Sequence, residues 1–255
     1  MLNFAKNLAK QAGQIPKKYW NKIKTYTYKG ARDPLTIADV KTNTFIVKQI
    51  RKKYPEHSIL AEESSRTINP GAPYQWIIDP IDGTEAYSHG LPYFGVSIAL
   101  YKENKPVLGV IYDPLIDELF WAQTGQGAYL NGQKINVSKT SKLDKAVMFM
   151  GFPRQRKGKQ GRKIMKNFRY YYARLENIFS NTCAVLALSY VAAGRLDIYC
   201  EYILNPWDFA AGVIIVEEAG GQVTTPAGNP WTIKDKRIVA TNGKIHQKFI
   251  KQLIK

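Results

Sequence analysis

Glu62-Glu63, Asp79 with Asp82, and Asp208 are the residues most able to do chemistry in this chain. Glu62-Glu63 and Asp79 follow apolar runs, and Asp208 stands near the start of one. Glu62-Glu63 follow Ser58 to Ala61, Asp79 and Asp82 sit in Trp76-Ile-Ile-Asp-Pro-Ile-Asp-Gly-Thr84, and Asp208 sits in Asn205-Pro-Trp-Asp208. Carboxylates gathered without bases repel one another. Hard divalent cations relieve that repulsion, since oxygen ligands suit Mg²⁺ and Mn²⁺. Asp79 and Asp82 are three apart, so a tight turn can aim both at one ion pair, with the carbonyl of Ile81 between them as a further oxygen. Gly83 and Thr84 then open a helix whose first N–H groups face an anion. By itself Asp82-Gly83 reads equally as an Asx turn in a plain loop. With Glu62-Glu63 and Asp208 beside it, the metal reading is the stronger one.

The elements that must hold these acids follow from the apolar pattern. A strand at Ser58 to Ala61 presents Glu62-Glu63. A second strand, Trp76 to Ile78, stops at Asp79-Pro80. Helices are expected over residues 2–24, broken near Pro16, over Thr36 to Tyr54, over Cys183 to Ala193 ending at Gly194, over Trp207 to Ala219, and over His246 to Ile254. Lys29 to Pro34 reads as a loop. Residues 93–101 and 106–113 read as antiparallel strands about Glu103-Asn104, continued by Leu119 to Thr124 and Gly127 to Leu130, with Asn131-Gly132 as a hairpin turn. Later strands are expected at 146–151, 198–200, 222–225 and 237–240. The mixture is α+β in the first half and α/β in the second, with a seam near residue 145. Two domains are expected, 1–145 carrying the metal-binding motifs and 146–255 completing the site.

The chain has 255 residues, enough for one large or two small domains without disulfides or a structural metal. Cys183 and Cys200 form no zinc-type pairing and read as small buried apolar residues in a reducing compartment, consistent with a cytoplasmic location. No apolar run is long enough to span a membrane, and the basic N-terminus lacks the apolar core of a secretory signal. Lys and Arg number 37 against 20 Asp and Glu, a net +17. The excess is uneven: residues 1–32 hold eight bases and no acid, and Arg154 to Arg174 hold nine more without one. Such a surface is either simply solvated or attracts anions, including nucleic acid. In Tyr170-Tyr-Tyr172, helical spacing turns one ring to the core and two outward. His57 and His246 read as surface residues and His89 as a loop or substrate-rim residue.

Taken together, Asp33-Pro-Leu-Thr-Ile-Ala-Asp39, Ala61-Glu-Glu-Ser64, Trp76 to Thr84, Pro92-Tyr-Phe-Gly-Val-Ser-Ile-Ala99, Tyr190-Val-Ala-Ala-Gly-Arg-Leu-Asp197, Asn205 to Gly212 and Glu218-Ala-Gly-Gly221 resemble the inositol monophosphatase family. The family belongs to the lithium-sensitive, magnesium-dependent phosphatases, and the likeness is closest to its bacterial inositol-1-monophosphatase-like members. It covers about residues 5 to 250. The resemblance implies a five-layered αβαβα sandwich, commonly a homodimer, and hydrolysis of a small phosphorylated polyol. It implies two to three Mg²⁺ ions: Glu62, Asp79 and the Ile81 carbonyl at the first, Asp79, Asp82 and Asp208 at the second, and Glu62 through water at a weaker third. Glu63 would orient water, Thr84 with Asp39 would polarise the attacking water, and the Gly83 and Thr84 amides would hold phosphate. Ala184 and Glu201 match substrate-binding positions. Read without the family, Asp39 is a helix-surface acid, Thr84 a helix cap and Glu201 an exposed strand-end acid.

The departures concern the alcohol. Thr182 stands where the family often has Gly, Ala187 where it has an acid, and Glu85 follows Thr84 where Asn is usual. Inositol 1-phosphate is the substrate expected first. Fructose 1,6-bisphosphate, histidinol phosphate and 3′-phosphoadenosine 5′-phosphate are the alternatives. Some bacterial members act with the transcription machinery, so the basic surface carries a further expectation of an RNA or transcription-complex partner.

Overall fold

The computed structural model describes residues 1–22, 27–30, 33–64, 66–152, 158–180 and 183–253. Its first half runs α1 (Leu2–Tyr19), β1 (Thr27–Gly30), β2 (Asp33–Leu35), α2 (Ile37–Lys53), β3 (Ser58–Ala61), β4 (Tyr74–Asp82), α3 (Thr84–Ser88), β5 (Gly95–Lys102), β6 (Lys105–Asp113), β7 (Glu118–Gln123), β8 (Ala128–Leu130) and β9 (Gln133–Ile135). The second half runs β10 (Val147–Met150), α4 (Gly158–Tyr172), β11 (Asn177–Phe179), α5 (Ala184–Ala192), β12 (Ile198–Glu201), α6 (Pro206–Glu218), β13 (Gln222–Thr224), β14 (Ile238–Thr241) and α7 (His246–Gln252). Strands β3 to β9 form a seven-stranded sheet in chain order, antiparallel except for the β3–β4 pair. A second, five-stranded sheet has the order β11-β10-β12-β14-β13.

Strand alternation assigns the layers, because successive side chains leave a strand on opposite faces. From the large sheet, Trp76, Ile78, Val96 and Ile98 pack under Ala5, Leu8 and Ala12 of α1 and Ile46 and Ile50 of α2. Their neighbours Ile77, Ala99 and Tyr101 face the opposite way, onto Val185 and Leu188 of α5 and Val213 and Ile215 of α6. Tyr199, Ile238 and Ala240 of the second sheet reach the same two helices from the far side. Enclosure by two sheets explains why α5 and α6 are apolar on nearly every face. Ile198, Cys200 and Val239 point outward beneath Ile164 and Tyr171 of α4 and Phe249 of α7. The result is an α+β molecule in five layers, αβαβα.

Several expectations need correction. Helix α1 is not broken at Pro16 but continues to Tyr19. Proline removes one N–H near the end of the helix without forbidding the residues after it, and its carbonyl accepts bonds from Trp20 N–H at 2.8 Å and the Tyr87 hydroxyl at 2.9 Å. Lys29 to Pro34 is not a loop throughout, since β1 and β2 pair antiparallel across it. Strand β4 does not stop at Asp79-Pro80 but runs on to Asp82. His57 is half-buried: its ring stacks between Tyr54 and Tyr74 at 4.8 Å from each, and its Nδ1 accepts the Trp76 Nε1–H at 3.1 Å. His246 is fully buried between Thr224 and Thr241. Strand β11 falls where no strand is expected and pairs parallel with β10. As expected, Tyr171 is buried while Tyr172 is 70 % exposed, and both cysteines are buried thiols. Among the described residues no helix is long and apolar enough to cross a membrane. Thr182, Ile254, Arg154, Arg156 and Lys157 lie outside the described residues.

Candidate active site

The acids meet because β4 is irregular where the expected strand ended. Asp79 pairs with Ser97 of β5 and Asp82 with Gly95, three steps on one strand against two on the other. In a regular strand, residues three apart point to opposite faces. The extra residue of this bulge brings Asp79 and Asp82 onto the same side. Asp208, in the first turn of α6, arrives from the other half of the chain. One carboxylate oxygen from each of Asp79, Asp82 and Asp208 lies within 4.8 Å of the others. Backbone amides hold each acid in place: Ile81 N–H donates to Asp79 at 3.0 Å, Val185 N–H of α5 to Asp82 at 2.7 Å, and Asn205 N–H to Asp208 at 2.6 Å.

Glu62 and Glu63 leave β3 through a turn closed by the Ser64 N–H on the Ala61 carbonyl at 3.1 Å. Glu62 donates its own N–H to the carbonyl of Ile78 of β4 at 3.1 Å, which sets its side chain close enough to Asp79 for the two charges to interact. Burial, then the charges of Glu62, Asp82 and Asp208, push the Asp79 carboxyl well above the usual range. Asp208 is raised well above its ordinary value by burial and by Asp82. Burial carries Asp82 to about 7 despite the amide bond from Val185. Such a cluster is unfavourable as four anions, and the donors are all hard oxygens, which fits divalent Mg²⁺ or Mn²⁺. The Tyr199 hydroxyl, buried and without a hydrogen-bond partner among the described residues, feels the charges of Glu201, Asp82 and Asp208.

A second group adjoins the acids. Thr84 Oγ1 lies 3.1 Å from Asp39 Oδ1 and 2.9 Å from the Ile81 carbonyl oxygen. Asp39 is fully buried, and burial raises it to about 6 against the bonds from Thr36 that lower it. It is therefore no helix-surface acid. Gly83 turns the chain from β4 into α3 at φ +89°, and a Cβ there would come within 2.7 Å of the Tyr93 carbonyl oxygen. Only glycine fits that combination of handedness and space.

Glu201 is no exposed strand-end acid either. Its carboxylate fills the space a side chain at Gly151 would need, with Oε2 only 1.1 Å from where that Cβ would stand. Burial pushes Glu201 up to about 8, with Asp82 adding to the rise. Ala184 begins α5 one residue before the amide that holds Asp82. His89 is exposed at the end of α3. Thr36 and Gly151, which no motif marks as site residues, touch Asp39 and Glu201. For Thr36 a signal existed: Thr36-x-x-Asp39 and Asn205-x-x-Asp208 are both capping boxes in the structure, so both acids are third residues of capped helices.

The inositol monophosphatase family model matches residues 1–255. An inositol-1-monophosphatase of Synechocystis sp. is 41 % identical over 239 residues, covering 92 % of this chain and 82 % of that protein. The Nus factor SuhB of Escherichia coli K12 is 37 % identical over 255 residues, covering 96 % and 92 %. Among solved structures, an IMPase of Thermotoga maritima superposes with a TM-score of 0.90 at 35 % identity, covering 98 % of this chain and 95 % of its own. With its acid cluster, layers and full-length match, this chain belongs to the inositol monophosphatase family.

Proposed function

We propose that this phosphatase is a Mg²⁺-dependent phosphomonoesterase whose preferred substrate is inositol 1-phosphate. The observation that carries the reading is three carboxylates within 4.8 Å of one another, beside a threonine hydroxyl held on a buried aspartate. Glu62, Asp79 and the Ile81 carbonyl would hold one ion, and Asp79, Asp82 and Asp208 a second. Glu62 would reach a third ion through water. When bound, such ions lower the pKa of water and offset negative charge on a leaving alkoxide.

The remaining work falls to the chain. Thr84 has one hydroxyl proton and two acceptors, the Ile81 carbonyl and Asp39 Oδ1. Given to Asp39, that proton leaves the Thr84 lone pairs to accept from water and the Ile81 oxygen open. The Gly83 and Thr84 amides hold the phosphate, Glu63 orients water, and Ala184 and Glu201 meet the alcohol. Water oxygen bonds to phosphorus as the phosphorus–alkoxide bond breaks. The water's proton passes toward Thr84 and Asp39, and the alkoxide leaves as the alcohol after protonation by solvent.

The test is phosphate release by wild type and Asp79→Asn with Mg²⁺. The panel is inositol 1-phosphate, fructose 1,6-bisphosphate, histidinol phosphate and 3′-phosphoadenosine 5′-phosphate. We expect inositol 1-phosphate to give the highest kcat/KM and the substitution to lower it by about 10³-fold, the several kcal/mol a metal site supplies. A higher kcat/KM for another ester overturns the substrate. No release from any of them overturns the reaction.

The basic surface supports a second reading, an RNA or transcription-complex partner. Lys159, Arg162, Lys166 and Arg169 are exposed on α4, and a relative is a Nus factor. Binding to single-stranded RNA should weaken with salt at a log–log slope of about −0.7 per phosphate neutralised. No binding at low salt removes this reading. A homodimer, lithium sensitivity and a cytoplasmic location are proposed with the family.

A further inference from the structure

We propose that Thr36 is a positioning residue for the reaction, acting through Asp39 on Thr84. The proposal rests on the phosphatase reading above. Thr36 caps α2, and its side chain does more than cap. Its hydroxyl lies 2.5 Å from Asp39 Oδ2, and its own N–H donates to the same oxygen at 2.8 Å. The Thr36 oxygen in turn accepts from Ala38 N–H at 3.2 Å and Asp39 N–H at 3.4 Å. Those amides occupy its lone pairs, so its proton points to Asp39. The two carboxylate oxygens of Asp39 thus have separate duties. Oδ2 is filled by Thr36, and Oδ1 is left for the Thr84 hydroxyl at 3.1 Å.

That division decides where the Thr84 proton goes. Thr84 stands between the Ile81 carbonyl and Asp39, and only an Asp39 held as an acceptor in this rotamer draws the proton away from Ile81. Two donors on Oδ2 favour the ionised carboxylate and fix its plane. Thr36 and Asp39 are both buried, so bulk solvent does not reach a bond lost between them. An ordinary helix cap would need only the Thr36 oxygen as acceptor. Donation from Thr36 into the buried acid is the additional feature.

A graded series separates positioning from capping. Thr36→Ser keeps the hydroxyl. Thr36→Ala removes it and leaves space. Thr36→Val puts a methyl where an oxygen sits 2.5 Å from Oδ2, and the carboxylate must move away. We expect kcat in the order Ser near wild type, then Ala, then Val, the last down by at least about 10-fold. KM should stay within about twofold, since Thr36 touches no substrate. In an Asp39→Asn background the three should be indistinguishable in kcat, because the group they act through is gone. Capping alone would lower the melting temperature of the Ala and Val variants by about 2–4 °C. It would leave kcat unchanged well below that temperature. Crystal structures of the metal-free Ser and Val variants give a readout independent of turnover. The Asp39 Oδ1 to Thr84 Oγ1 contact should persist in Ser and open beyond hydrogen-bond range in Val. An unchanged contact in Val, a Ser variant as slow as Val, or full additivity with Asp39→Asn overturns the proposal. If wild type itself releases no phosphate, the phosphatase reading fails while the two crystal structures still decide this one.

Discussion

At Thr84 a single proton has two acceptors, and the neighbouring Gly83 has no room for a side chain. Each fact makes a prediction at the scale of one residue. Thr84→Ala should lower kcat by about 10²-fold, the usual worth of a positioned proton acceptor, with Thr84→Ser retaining most of it. Equal rates for Ala and Ser in steady-state assays would remove Thr84 from the proton path. Gly83→Ala should lower stability by about 2 kcal/mol, since left-handed backbone and a 2.7 Å contact with the Tyr93 carbonyl must both give way. A urea midpoint equal to that of wild type would contradict it. Asp82→Asn should raise the melting temperature in chelator, because it removes one of several mutually repelling charges. The same variant should gain less than wild type from added Mg²⁺, since ligand bound only to the native state stabilises it. Melting curves with and without the ion read both signs.

At the scale of elements, β13 and β14 are tied to the start of α7 through His246. Thr224 gives its hydroxyl proton to the Thr225 carbonyl, so His246 Nε2–H must donate to Thr224, and Nδ1 accepts from Thr241. Burial lowers this imidazole to about 4. The unfolded chain, with an ordinary histidine near 6.5, binds the proton more readily. Stability from this group is therefore full above about pH 6.5 and lost as pH falls toward 4, about 3 kcal/mol in all. His246→Gln should flatten the dependence in that window, and an unchanged pH profile of urea midpoints would contradict the assignment. Helices α2, α5 and α6 and the hairpin from β5 to β6 were legible because long periodic runs and turn residues are local signals. Strand β4 was cut short because Pro80 lacks an N–H, while its continuation rests on pairing with β5 across a bulge. Strand β11 was invisible because three residues gain their order from β10, about thirty positions away. The site acids were legible by type, yet their convergence depends on that bulge and on Asn205 and Thr36 capping distant helices.

Across the whole molecule, the acids come from the turn after β3 and from β4, α2 and α6, so the site exists only when both sheets close on α5 and α6. The net charge of +17 gives the molecule as a whole a long-range attraction for anionic esters. Raising salt should therefore lower kcat/KM more than kcat, because long-range attraction acts on encounter. An equal effect on both would put the charge dependence in the chemical step. In the function proposed above, the clustered carboxylates make hydrolysis depend on a metal ion. The most direct test is the initial rate of phosphate release from inositol 1-phosphate as Mg²⁺ is titrated into metal-free enzyme, for wild type and Asp79→Asn. A rate near zero in chelator, a saturable rise for wild type and almost none for the variant are expected. Release that is independent of Mg²⁺, or equal in the two proteins, would contradict it.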